Sequence, residues 1–225
     1  SAVQLTGRDL ALRDVEVVSR QEEQRRLRSL DAMLSGAAVT VCTVSGLLQR
    51  TLSPELLESA AFTLKTGEGE GPEALEPRLL ACGYRRSDMV EGPGQFSRRG
   101  GILDIFSPGA ERPIRCEFWG DEIDSMGFFD TDTQRRTENV ESFRILPACE
   151  ALMEPNRVET IAKSLENRAN RAEKREQTEL SRRLRRDAEM LRGGSALPWC
   201  DRYLPEMYAG FSTALDYIAP DALVY

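Results

Sequence analysis

"RPIRCEFWGDEIDSMGFF", residues 112 to 129, decides how the middle of this chain folds. Apolar and polar residues alternate on both sides of Gly120-Asp121, and a period of two is the pattern of strands with one buried face. The stretch predicts a hairpin in which "PIRCEFW" turns into "EIDSMGFF", with Gly120 suited to the first central position of a type II′ turn. Strand parity places Ile114, Cys116 and Phe118 on one face and Arg115, Glu117 and Trp119 on the other. The first set is expected in a core; the second is expected to be presented.

Working outward, the sequence from Tyr84 to Glu150 stays in short β-rich pieces punctuated by Gly, Pro and Asp. Upstream lies "EGPGQFSRRGGILDIFSPG", residues 91 to 109, in which Ile102 to Phe106 are expected to supply core. Gly100-Gly101 permits a bulge or a positive φ, so parity does not carry from Phe96 to Leu103. The face of Arg99 therefore stays open, and Arg98 has no assigned role. Downstream, "ESFRIL" predicts a further strand before Pro147. "EPRLLACGY" predicts a short helix stopped at Gly83, and the Gly- and Glu-rich shift in "FTLKTGEGEGPEALEP" marks a domain crossing near residues 65 to 72.

The chain before that crossing reads as α/β. Ser19 with Glu22 has the spacing of a capping box, Leu27, Leu30 and Leu34 form one helical stripe, and Gly36 ends it. "AVTVCTV", residues 38 to 44, predicts a strand buried on both faces of a parallel sheet. Ser53-Pro54-Glu55 starts another helix. Residues 156 to 192 carry the longest helical pattern, with Ile161, Leu165, Ala169 and Ala172, then Leu180, Leu184, Ala188 and Leu191 on one stripe. Glu176 interrupts it, so one rod and two helices both fit, and Gly193-Gly194 stops it. "YLPEMYAGFSTALDYIAPDALVY" closes with a short helix and a strand from "ALVY", as expected of a chain cut from a larger protein.

Composition excludes several classes of function. No apolar run is long enough to span a bilayer and no signal peptide is legible, so no membrane partner and a cytoplasmic location are expected. The chain contains no histidine, which removes Ser-His-Asp and Cys-His catalysis and every His-ligated metal site. Five cysteines stand singly, without disulfide or zinc spacing. No Walker A sequence is present, and the glutamates of "GEGEGP" would repel a phosphate. Asp121, Glu122 and Asp124 sit at the hairpin turn, where carboxylates are usually solvated, so no metal and no cofactor is expected.

The formal net charge of −7 argues against coating nucleic acid. Residues 156 to 192 nevertheless hold 11 Lys plus Arg against 7 Asp plus Glu, a local +4. Arg182, Arg183, Arg185 and Arg186 among glutamates read first as a solvated helix face. Direct DNA contact is the alternative.

"GQFSRRGGILDIF" joined with "RPIRCEFWGDEIDSMGFFDTDTQRR" and "ILPACE" is more specific. These blocks, in this order, resemble the UvrB-homology module of nucleotide excision repair, shared by the damage-recognition helicases and the transcription-repair coupling factors. The wording "PGQFSRRGGILDIFSPGAERP" and the tail from Asp201 look more like the coupling factors. The resemblance implies a partial helicase-like parallel α/β domain, split in sequence, with an inserted small β-rich α+β domain. On this sequence the parts are residues 1–66, 67–150 and 151–225, with the family's first strand and degenerate nucleotide loop expected before Ser1.

The resemblance also implies a docking surface for UvrA, whose recognition residues fall on Arg99, Arg115 and Trp119, with Glu117 expected to orient Arg115. Trp119 stands where the family pattern has phenylalanine. No catalysis is implied for these residues. RNA polymerase and duplex DNA would engage other domains of a full-length, ATP-driven translocase. A damage-recognition fragment of the UvrB type is a further alternative.

Overall fold

In the computed structural model, which describes residues 2–7, 20–152, 157–193 and 212–223, the chain divides into two compact units. These are residues 1–150 with 212–225, and residues 151–211.

The first unit opens with a β-α-β element. Strand β1 (Ala2–Leu5) pairs in parallel with β2 (Val39–Cys42), and helix α1 (Arg20–Leu34) connects them. Leu27 and Leu30 bury completely, as their spacing requires, and Gly36 ends the element at φ +81°. Ser19, the expected cap, lies outside the described residues. Strand β1 went unpredicted, because four residues containing a glutamine give little periodicity to read. One expectation is corrected here. Strand β2 is not buried on both faces: Val39 and Val41 are 54% and 61% exposed, because β1 is its one pairing neighbour among the described residues.

Helix α2 (Val44–Leu48) is capped by Thr43, and α3 (Pro54–Ala60) starts as expected, with the Ser53 hydroxyl accepting from the Leu56 N–H. Between them β3 (Arg50–Thr51) pairs with residues Ser212–Thr213, and the 3₁₀ turn Ala214–Tyr217 follows, with the Tyr217 hydroxyl donating to the Leu52 carbonyl at 2.8 Å. Ala222 and Leu223 form no strand, and Val224-Tyr225 lie outside the described residues.

Arg26 of α1 is the largest fully buried side chain of this unit. It donates to the carbonyls of Thr6 (3.0 Å) and Gly46 (2.7 Å) and pairs with the equally buried Glu150 at 3.2 Å. Thr51 donates its hydroxyl to the same carboxylate at 2.6 Å, and Glu23 accepts from the Glu150 backbone N–H at 2.6 Å. A buried charge persists only when paired and hydrogen-bonded, and here one ion pair holds α1, α2 and residue 150 together.

The alternating residues build the sheet that dominates this unit. Strands β5 (Arg85–Arg86), β6 (Gln95–Arg99), β7 (Ile102–Phe106), β8 (Ile114–Trp119), β9 (Glu122–Phe129) and β10 (Arg136–Asn139) lie in sequential order. All neighbours are antiparallel except β5 and β6. Strand β4 (Phe62–Lys65) pairs with β11 (Ser142–Ile145), and helix α4 (Pro72–Ala81) ends at Gly83, φ +83°. The core joins Leu64, Leu75, Leu79 and Tyr84 to Phe96, Leu103, Ile105, Ile114, Cys116 and Met126. Ile114 and Cys116 face this core, as parity requires, and Phe118 packs against it. Burial of this kind stabilises by about 1.5–3 kcal/mol for each large apolar side chain. Arg98 is not idle either. It binds Glu73 and Glu76 of α4, the latter at 2.7 Å, and so fastens the helix to the sheet.

The second unit is a helical hairpin. Helices α5 (Val158–Glu173) and α6 (Thr178–Arg192) break at Glu176, which takes φ +59°, so the two-helix alternative is the observed one. Ile161, Leu165, Ala169, Leu184, Ala188 and Leu191 form its core. Arg192 bridges Glu159 and Glu166 across the pair.

Candidate docking face

Residues paired directly across neighbouring strands share a face, and the registers lay this one out as rows. One row runs Arg99, Ile102, Glu117 and Ser125; the next runs Ser97, Asp104, Arg115 and Gly127. Trp119 pairs with Glu122 one row above. A bulge between Glu117 and Phe118 is absorbed on β9, where Asp124 is the extra residue, so parity along β8 survives. Arg99, Arg115, Glu117 and Trp119 therefore lie on the same side of the sheet.

The two hairpin loops explain this placement. Gly100 (φ +60°) and Gly120 (φ +62°) each take the first loop position, at a conformation glycine adopts without strain. The residue that follows each, Gly101 or Asp121, does not have positive φ. Arg99 and Trp119 each immediately precede such a loop, on strands running in the same direction, so they reach the same end of the sheet.

Trp119 is 83% exposed. An indole left in water beside a fixed backbone has the composition and position of an interface anchor. Arg99 is 48% exposed and donates to Asp104 at 3.0 Å. Arg115 is more enclosed, with only 14% of its side chain exposed. It forms a fork on Asp104 (Nε 2.7 Å, Nη2 2.9 Å), donates to the Gln134 carbonyl at 3.0 Å, and stacks on the Phe129 ring at 4.5 Å. The hydrogen bonds it donates to Asp104 push the Arg115 pKa further up, against the opposing effect of desolvation.

The expectation that Glu117 orients Arg115 is corrected. Glu117 accepts from Ser125 (3.2 Å) and Arg136 (3.4 Å), while Asp104 takes the arginine. Asp104 is the residue that sequence reasoning missed, counted as part of a core strand although it is a buried carboxylate on the presented face. The signal was legible: one acid in the apolar run "ILDIF" has to find a cation if it is buried.

Arg136 reaches Glu117 by crossing Gly127, where an added Cβ would collide with the Arg136 Nε and sit 2.6 Å from the Glu138 carbonyl. Gly127→Ala is thus expected to destabilise by about 1–3 kcal/mol and to lower the midpoint of thermal unfolding by several degrees. An unchanged midpoint would show that Arg136 has another route.

The basic residues of α6 are differently disposed. Arg182 pairs with Glu179 at 2.9 Å, and Arg185 binds Glu173 at 2.6 Å and Asn170 at 3.1 Å. Arg183 is partly buried and Arg186 is exposed. Among the described residues no group of three or more His, Cys, Asp or Glu is placed to hold a metal ion, and no helix is long and apolar enough to cross a membrane.

The sequence is similar to known proteins over much of its length. Residues 62–150, from β4 past β11, match the UvrB interaction domain family. The transcription-repair-coupling factor of Bacillus subtilis is 32% identical over 222 residues, covering 96% of this chain and 19% of the relative. That of Escherichia coli is 40% identical over 112 residues, covering 50% of this chain and 10% of the relative. The Mycobacterium bovis factor is 35% identical over 184 residues, covering 81% and 14%. The chain thus spans at most about a fifth of the length of these relatives. With the domain signature on the sheet and similarity running along most of its length, the chain carries a UvrB interaction domain and belongs with the transcription-repair-coupling factors.

Proposed function

We propose that this chain is a non-catalytic docking module that recruits UvrA during transcription-coupled nucleotide excision repair in the cytoplasm, through Arg99, Arg115, Glu117 and Trp119. The observation that carries the proposal is the 83% exposed Trp119, held at the same end of one sheet face as Arg99. A large aromatic displayed beside arginine and carboxylate side chains is suited to a protein partner. In the full-length protein, RNA polymerase and duplex DNA are engaged by other domains, and ATP-driven movement belongs to them.

Titration of this chain with purified UvrA tests the proposal. Saturable binding is expected, and it should persist when Arg182, Arg183, Arg185 and Arg186 are all replaced by glutamine. Absence of binding overturns the docking function. Salt-sensitive binding to duplex DNA, lost in the quadruple variant, would favour the basic helix as a nucleic-acid contact instead, although Arg182 and Arg185 already have acidic partners.

A further inference from the structure

Asp104 is almost completely buried in the middle of the docking face, yet it is ionisable and lies in none of the positions expected to touch UvrA. Its Oδ1 accepts from Arg115 Nε at 2.7 Å. Its Oδ2 accepts from Arg115 Nη2 at 2.9 Å and from Arg99 Nη2 at 3.0 Å. Two guanidiniums from strands on either side of β7 therefore converge on one carboxylate. Without it they would be like charges held together in a partly desolvated place, and Arg99, the more exposed of the two, would swing into solvent.

We infer that Asp104 is a positioning residue for UvrA docking: it fixes Arg99 and Arg115 in the geometry that the partner meets, without touching the partner itself. Arg115 passes the constraint on. Besides Asp104 it holds both the carbonyl (3.0 Å) and the side-chain oxygen (3.3 Å) of Gln134, a residue at φ +59°. Non-glycine residues rarely keep that conformation unless their surroundings enforce it. The turn carrying Gln134 is braced internally as well, since Asp130 accepts from both the Thr133 N–H and its hydroxyl at 2.8 Å. One buried carboxylate thus orders an arginine at the rim, an arginine in the middle and, through the latter, the turn beside them. Arginine forks ordered before contact lose less side-chain freedom on binding.

Because Asp104 acts through the docking face, its role stands only if that face binds UvrA, and the variants separate the two questions. Asp104→Asn, which keeps the shape and one acceptor but removes the charge, is expected to weaken UvrA binding about tenfold in the chain as it stands. In an Arg99→Ala, Arg115→Ala background that thermal denaturation shows to be folded, the same substitution should change binding less than about twofold, since there is nothing left to position. A merely structural role would give the same loss in both backgrounds, and that result overturns the inference, as does wild-type affinity for Asp104→Asn. If instead Trp119→Ala and the double arginine variant all bind UvrA like the wild type, the docking face itself is wrong. Should Asp104→Asn fail to melt cooperatively, Asp104→Glu keeps the charge, displaces both guanidiniums by one methylene, and carries the same expectations through the same cycle.

Discussion

Trp119→Ala is expected to weaken UvrA binding by about 30-fold or more while leaving the thermal midpoint of the chain unchanged. Both halves follow from exposure. The indole is 83% exposed and lies outside the hydrophobic core, so truncating it removes little buried apolar area. A contact that buries such a side chain against a partner would gain the transfer free energy of a full aromatic, and loss of a central aromatic anchor commonly costs about 2 kcal/mol or more. Trp119→Phe should retain most of the affinity, because a flat ring remains on the same hairpin. Arg115→Ala is a poorer probe. It would remove the stack on Phe129 and the support of Gln134 together, so lost binding could be lost structure. Titration calorimetry with UvrA, alongside thermal denaturation of the same samples, checks the prediction. An alanine variant that is folded and binds like the wild type would remove Trp119 from the interface.

The largest effect on stability is expected at Arg26. Arg26→Met should cost about 3–5 kcal/mol, a sizeable part of the roughly 5–15 kcal/mol that holds an ordinary domain together. The substitution leaves the Glu150 carboxylate buried with the Thr51 hydroxyl but without its cation, and it strips donors from the carbonyls of Thr6 and Gly46. Glu150→Leu should be damaging for the mirror reason, an uncompensated guanidinium. Combining the two should cost clearly less than the sum of the single losses, since the second change removes the charge stranded by the first. Urea unfolding of the four proteins gives the comparison. A loss under about 1 kcal/mol for Arg26→Met would mean that water or a rearrangement reaches the site.

The hairpin of residues 112–129 was legible because its turn is two residues long and its core positions alternate without interruption. The break at Glu176 was legible because a charge interrupts an apolar stripe. What escaped were features set by neighbours rather than by the local pattern. Val39 and Val41 have the composition of a buried strand, but burial depends on what lies on either side, and β2 has a single paired neighbour among the described residues. At the site, parity alone placed Arg115, Glu117 and Trp119. It could not pass Gly100-Gly101, so the face of Arg99 had to come from the register with Ile102. Assigning Glu117 to Arg115 failed for a geometric reason. Residues i and i+2 on a strand point the same way but stand well apart, whereas the cross-strand neighbour Asp104 lies directly opposite.

Strands β4 and β11 pair antiparallel, with Phe62 opposite Ile145. The chain therefore enters and leaves the UvrB interaction domain through two adjacent strands, about 5 Å apart. To the α/β element that carries it, this entire domain is equivalent to one tight turn. An insertion with such a narrow stem can be gained, lost or exchanged between proteins without rerouting the host chain. Helix α1 then sets the module on its host at three points, through Arg26 on Glu150, Gln24 on the Pro93 carbonyl and Asp31 on Arg144.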